Sequence, residues 1–259
     1  MTFQHHCSFK LFGSSSRRPS YTAAWKPLPI ATTIHNQLKS HYVQDTSRHE
    51  VDLDGYRIDA IDSDDRLIEI QCASLLAIRD KIRNLTCNHS VVVVKPLAAR
   101  KKLIKKAKLN GKTVSSRYSP AKQTLAWIFQ ELVHFTKAFP HPNLQLDVLL
   151  TEQEEIRLPP KTKSWRRKHS VHDRTLVEVQ HTYSLQTVED LWMALEVTVP
   201  DVFTTADLAT GGKMPRWLAQ KAAYCFREMN HIEICGKQGN AIEYRLKKKT
   251  SRRRKQKAA

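Results

Sequence analysis

Apolar residues along this chain follow two alternating periods, one helical and one of strand type, and the alternation predicts an order of elements. Over Thr32–Tyr42, Ile34, Leu38 and Tyr42 recur on one stripe and predict a short amphipathic helix. Two strand-like runs follow, Gly55–Asp62 and Arg66–Gln71. Ser63-Asp64-Asp65 between them is short and turn-rich, so the pair predicts a hairpin. Leu75, Ile78, Ile82 and Leu85 then mark a helix with one buried face. Val91-Val92-Val93-Val94 has no polar alternation, as expected of a strand covered on both faces.

Further on, Asn110-Gly111 divides Lys102–Leu109 from Lys112–Arg117 and predicts a second hairpin. Gln123–Phe139 reads as a helix with Leu125, Phe129, Leu132 and Phe135 or Thr136 inward, and Leu144–Leu150 as a strand. After a basic link, Lys161–Lys168, Leu176–Leu185 reads as another strand. Thr187–Leu195 predicts a helix, and Thr204 or Thr205 is a natural N-cap for a short second one. Pro215–Met229 predicts a third, before two strands at Ile232–Gly236 and Asn240–Leu246. Three helices closed by a hairpin is the winged-helix order, in which the third helix can enter the major groove of DNA. Arg216, Gln220, Lys221 and Arg227 are then the DNA-facing residues, and Lys237 marks the wing.

The organisation that follows is a flexible arm (1–26), an α/β domain (27–165), a linker with a strand (166–186), a winged-helix domain (187–246) and a basic tail (247–259). Composition narrows the partner. The chain has 259 residues, a formal net charge of +18 and 41% hydrophobic residues, so it can bury a core while attracting a polyanion. No apolar run approaches the roughly 18 residues of a spanning helix, and residues 1–29 contain no apolar signal core. Nucleic acid is therefore the expected partner, with no membrane. DNA comes first and RNA is an alternative, and the tail cations Arg252, Arg253 and Arg254 would grip phosphates regardless of sequence. The five cysteines form no C-x-x-C pair, which fits a reducing, cytoplasmic compartment, with nucleoid association allowed.

The chemistry is expected in a cluster of acids within this basic chain: Glu50, Asp52, Asp54, Asp59, Asp62, Asp64, Asp65 and Glu69. If the first hairpin pivots on Asp64, Asp59 sits opposite Glu69, with Cβ atoms about 4.5–5.5 Å apart. Two carboxylates so placed repel unless a cation lies between them, and magnesium suits such a pair. Gln71 projects from the same face as Glu69. Asp59, nine residues, then Glu69-Ile70-Gln71 resembles the motif of the PD-(D/E)XK nuclease superfamily. The longer run Gly55-Tyr-Arg-Ile-Asp59 through Leu67-Ile-Glu-Ile-Gln71, with Lys95-Pro-Leu-Ala after the valines, is similar to an uncharacterised bacterial family that joins such a core to a winged helix.

The resemblance implies a mixed sheet flanked by helices, Asp59 and Glu69 as ligands of Mg²⁺ or Mn²⁺, and Gln71 orienting the attacking water where most members carry Lys. It departs from the superfamily in having no acid in Thr32–Lys39, where many members carry Glu; Glu50 or Asp52 could substitute. Lys95, with Arg100, Lys101, Lys102, Lys105 and Lys106, could hold the flanking phosphates, or form a solvated face. His5-His6 and His169-x-x-His172 read as surface histidines, Glu152, Glu154 and Glu155 as an ion-pair network or solvated loop, and Ser119 as a cap. The expected function is that of a nucleic-acid-binding protein resembling a metal-dependent DNA endonuclease. The alternatives are a nuclease-like core without activity that binds DNA or regulates, and an RNA-associated protein.

Overall fold

The computed structural model describes residues 32–160 and 169–247. The N-terminal arm with His5-His6, the link Lys161–Lys168 and the tail cations Arg252, Arg253 and Arg254 lie outside the described residues. Helix α1 (Thr33–Tyr42) buries Ile34 and Leu38, as its stripe implied. Strands β1 (His49–Leu53), β2 (Tyr56–Ile61) and β3 (Leu67–Ile70) form an antiparallel meander. The β1–β2 turn is Asp54-Gly55, both left-handed (φ 51° and 77°), which is the backbone a two-residue hairpin of matching twist requires. A 3₁₀ turn at Leu75–Ile78 leads into α2 (Arg79–Leu85), which buries Ile82 and Leu85.

Strand β4 (Val91–Lys106) is parallel to β3, and β5 (Thr113–Tyr118) folds back against its far half. The valine strand and the first arm of the second hairpin are therefore one continuous strand, with Pro96 inside it. The proline is tolerated because β4 has lost β3 after Val94 and does not meet β5 until Lys102. In that gap the amide of Gln123 stands in for a strand, accepting from the Ala98 N–H at 2.7 Å. The expected helix over Gln123–Phe139 is reduced to a 3₁₀ turn and α3 (Phe129–Leu132), followed by turns. Its inward residues Leu125, Phe129, Leu132 and Phe135 are nonetheless all buried.

Strand β6 (Leu144–Leu158) runs parallel to β4 and carries Glu152, Glu154 and Glu155 on a strand, so these acids are not a loop. Strand β7 (Ser170–Leu185) closes the edge. The result is a seven-stranded, mostly antiparallel sheet in the order β1-β2-β3-β4-β6-β7, with β5 paired to β4 and helices on its faces. Val91 and Val93 face the core that contains α2, while Val92 and Val94 face the core that contains α1.

Beyond the sheet come α4 (Val188–Ala194), α5 (Thr205–Gly211), α6 (Arg216–Glu228) and the hairpin β8 (Ile232–Gln238) and β9 (Ala241–Leu246). Thr187 and Thr204 close capping boxes with Asp190 and Asp207, which fixes where α4 and α5 begin. Phe203 bridges to Tyr244 and adds a short third rung to the hairpin. The larger core runs without a break from the sheet into these helices: Phe129 meets Phe226 edge-on at 5.2 Å, and Leu191, Leu208 and Leu218 are fully buried. Phe226→Ala should therefore cost about 3–5 kcal/mol and lower a single urea transition of the described body. Two separate transitions, with only one shifted, would show the core to be divided.

Candidate functional site

Three acids of the meander stand at one level of the sheet. Ala60 pairs with Ile68 and Ile61 with Leu67, so Asp59 falls at the level of Glu69. On the other side Asp59 lies between Ile58 and Ala60, and Glu50 between their partners Val51 and His49. The ladder is irregular here. Glu50 has a left-handed backbone (φ 53°), and the Asp59 carboxylate accepts from the Ile70 N–H at 2.7 Å. Ile58 joins the α2-side core and Ala60 the α1-side core, so β2 turns over at Asp59.

Each acid has its own basic partner. His35 of α1 approaches Asp59 at 3.2 Å. Lys81 of α2 donates to the Glu69 carboxylate at 2.6 Å and to the Arg57 carbonyl at 2.6 Å. Lys39 and Arg57 both pair with Glu50. Asp59 and Glu69 are thus approached from two different helices, α1 and α2. They still interact: burial and the Asp59 charge raise the Glu69 pKa, against the pull of Lys81. Burial lowers the His35 imidazole, but Asp59 more than offsets it and the net shift is upward.

Gln71 is turned back on its own loop, accepting from the Ala73 N–H at 3.0 Å. Lys95 is 4% exposed and is held by the Ala73 carbonyl and by Glu131 at 3.5 Å; burial lowers its pKa. It lines a polar cavity of about 250 Å³ in the gap between β3 and β5, with Lys101, Gln123, Trp127 and Gln153, and a phosphate would have to enter that cavity to meet it. Arg100, Lys101 and Lys102 pair across the sheet with Glu152, Glu155 and Glu154. Burial pushes Glu155 up, yet hydrogen bonds from Arg157 and Arg174 hold it below the ordinary range. Lys105, at the far end of β4, is exposed.

The second candidate surface is the outer face of α6. Its inner face, Leu218, Ala222, Cys225 and Phe226, is fully buried, and its outer face exposes Arg216, Trp217, Gln220, Tyr224 and Arg227, with Lys221 half-buried. Lys237 is exposed on β8. Residue-type reasoning missed His35 and Lys81, because a lone His and a lone Lys on helices carry no local signature. It also passed over Trp217 and Tyr224, although their seven-residue spacing on a charged face was visible.

The carboxyl ¹³C signal of Glu69 should titrate above the ordinary glutamate range. Asp59→Asn should lower the midpoint and Lys81→Met should raise it. A folded-state pKa above the unfolded one means that Glu69 contributes most below the unfolded value, and that contribution is lost as pH rises through the raised value. An ordinary midpoint, indifferent to both changes, would show that the acids do not interact.

Residues 32–186, from α1 through β7, match a family described as "Domain of unknown function (DUF8091)". A Treponema pallidum (strain Nichols) protein described as "Uncharacterized protein" is 29% identical over 182 residues, 70% of this chain and 72% of that one. No solved structure matches. The matched span covers the whole seven-stranded sheet and more than half of the sequence, and the chain belongs to the DUF8091 family.

Proposed function

We propose that this protein binds nucleic acid through the outer face of α6 and the β8–β9 hairpin, and that its sheet is a nuclease-like framework whose acids are neutralised from within. The observation that carries the reading is the division of α6. One side is locked in the core, and the other offers Arg216, Gln220, Lys221 and Arg227 on a rigid helix. Cations and an amide on a helix of this kind suit phosphate oxygens and base edges. The order α4, Phe203 bridge, α5, α6, β8, β9 supports a winged helix, with α6 as the reading helix and Lys237 on the wing. The net charge of +18 supports a polyanionic partner, DNA first and RNA as the alternative.

The order α1, three strands, α2, β4 supports the PD-(D/E)XK likeness of the sheet. In that likeness His35 is the residue of the first helix that meets Asp59, and Lys81 supplies the amine that Gln71 lacks. The acids do not fit a resident magnesium or manganese ion as they stand. Lys81 and His35 already occupy the two carboxylates, and among the described residues no group of three or more His, Cys, Asp or Glu is placed to hold a metal. No hydrolytic step is therefore routed through one. A second reading, metal-dependent phosphodiester cleavage, is favoured by Glu50, Asp59 and Glu69 standing at one level of the sheet.

A labelled DNA duplex with a single-stranded tail, titrated with full-length protein, separates the two. The first reading expects salt-sensitive binding. Arg216→Ala or Arg227→Ala should each reduce the slope of log affinity against log salt by about one, and no nicking should appear in Mg²⁺ or Mn²⁺. Metal-dependent nicking abolished by Asp59→Ala and by Glu69→Ala would establish the second reading instead.

A further inference from the structure

The outer face of α6 carries two large aromatic rings among its cations. Trp217 and Tyr224 are each 42% exposed, and seven residues apart they stand on one face about 10 Å along the axis. Trp217 is braced from behind, where its ring meets Trp127 edge-on at 5.6 Å. Each ring also has a cation beside it. Lys221 lies 5.9 Å from the Trp217 centroid, and the Arg227 guanidinium 5.6 Å from that of Tyr224. Gln220 is exposed between them.

This composition discriminates among partners. Arg227 pairs with Glu228 at 3.1 Å, but Lys221 has no acid within ion-pair distance among the described residues, so an apolar protein surface would bury the two rings at the cost of desolvating these cations. A regular duplex would satisfy the cations but leave the rings idle, because stacked bases present only their edges to the grooves. Unpaired bases on a phosphate backbone match both, since every base has a flat face and every nucleotide a charge. We propose that α6 is a stacking platform for single-stranded nucleic acid. Trp217 and Tyr224 receive the faces of unpaired bases, and Arg216, Lys221 and Arg227 hold the intervening phosphates. The proposal rests on the nucleic-acid reading above and adds the strandedness of the ligand.

The test uses the full chain and fluorescence anisotropy with three probes of equal length at one salt concentration: oligo-dT, oligo-rU and a DNA duplex. At least one single strand should bind more tightly than the duplex, and the two single-stranded arms decide between DNA and RNA. Tyr224→Ala and Trp217→Ala should each weaken single-strand binding by roughly 5- to 150-fold, the worth of one stacked base, and duplex binding by much less. Trp217 also packs on Trp127, so Trp217→Phe, which keeps a ring, should restore most of the affinity, whereas a merely structural loss would weaken all three probes together. Tighter duplex binding, with single-strand affinity indifferent to both alanine variants, would overturn the stacking platform alone. No binding by any of the three would overturn the nucleic-acid reading with it.

Discussion

A strand that lies parallel to both of its neighbours has to be covered on both faces, and β4 meets that demand with four consecutive valines at 1% exposure or less. The alternating valines divide the interior into two cores, one closed by α1 and one by α2. The meander β1–β3 hangs from this strand on one side and the β6–β7 pair on the other. Where β3 ends and β5 has not yet begun, β4 is left with one neighbour, and Pro96, Gln123 and the cavity around Lys95 occupy the gap. The α2-side core then continues through Phe129 to Phe226, so the outward face of α6 is held by the same packing that covers the valines.

Charge is distributed by the same architecture. A chain with a net charge of +18 still pairs several basic side chains with its own acids. Lys81, His35 and Lys39 attend the acid row, and Arg100, Lys101, Lys102 and Arg174 attend the acids of β6. Lys81 and Glu69 are the most enclosed of these pairs, and removing one partner there leaves the other desolvated and alone, whereas the exposed pairs of Arg100 and Lys102 contribute little. On the outer face of α6, Arg227 pairs with Glu228 of its own helix, and Lys221 and Arg227 also lie beside the rings of Trp217 and Tyr224.

Much of this order was legible in the residues. The stripe of Ile34 and Leu38, the level of Asp59 against Glu69, the start of α4 at Thr187 and a cap at Thr204 or Thr205 follow from local rules, and the structure keeps them, with Thr204 as the cap. Periodicity starts a strand at Gly55 and gives no β1, although Asp54-Gly55 is itself a strong hairpin signal that places a strand before it. The helix over Gln123–Phe139 had the right inward residues but the wrong backbone, since Gln123 serves β4 and short turns suffice to bury Phe129 and Phe135. Register told that the two acids share a level; it could not tell that β2 turns over at Asp59, or that helices distant in sequence supply Lys81 and His35. Those are tertiary facts with no local pattern.

If, as proposed, Lys39, Lys81 and His35 neutralise the acid row, no place for a divalent cation is left there. Manganese titration at neutral pH, followed by electron paramagnetic resonance, tests it most directly. The expected result is no saturable stoichiometric site in the wild-type chain, with Asp59→Asn indistinguishable from it. One tightly held manganese per chain, lost in Asp59→Asn, would contradict the account.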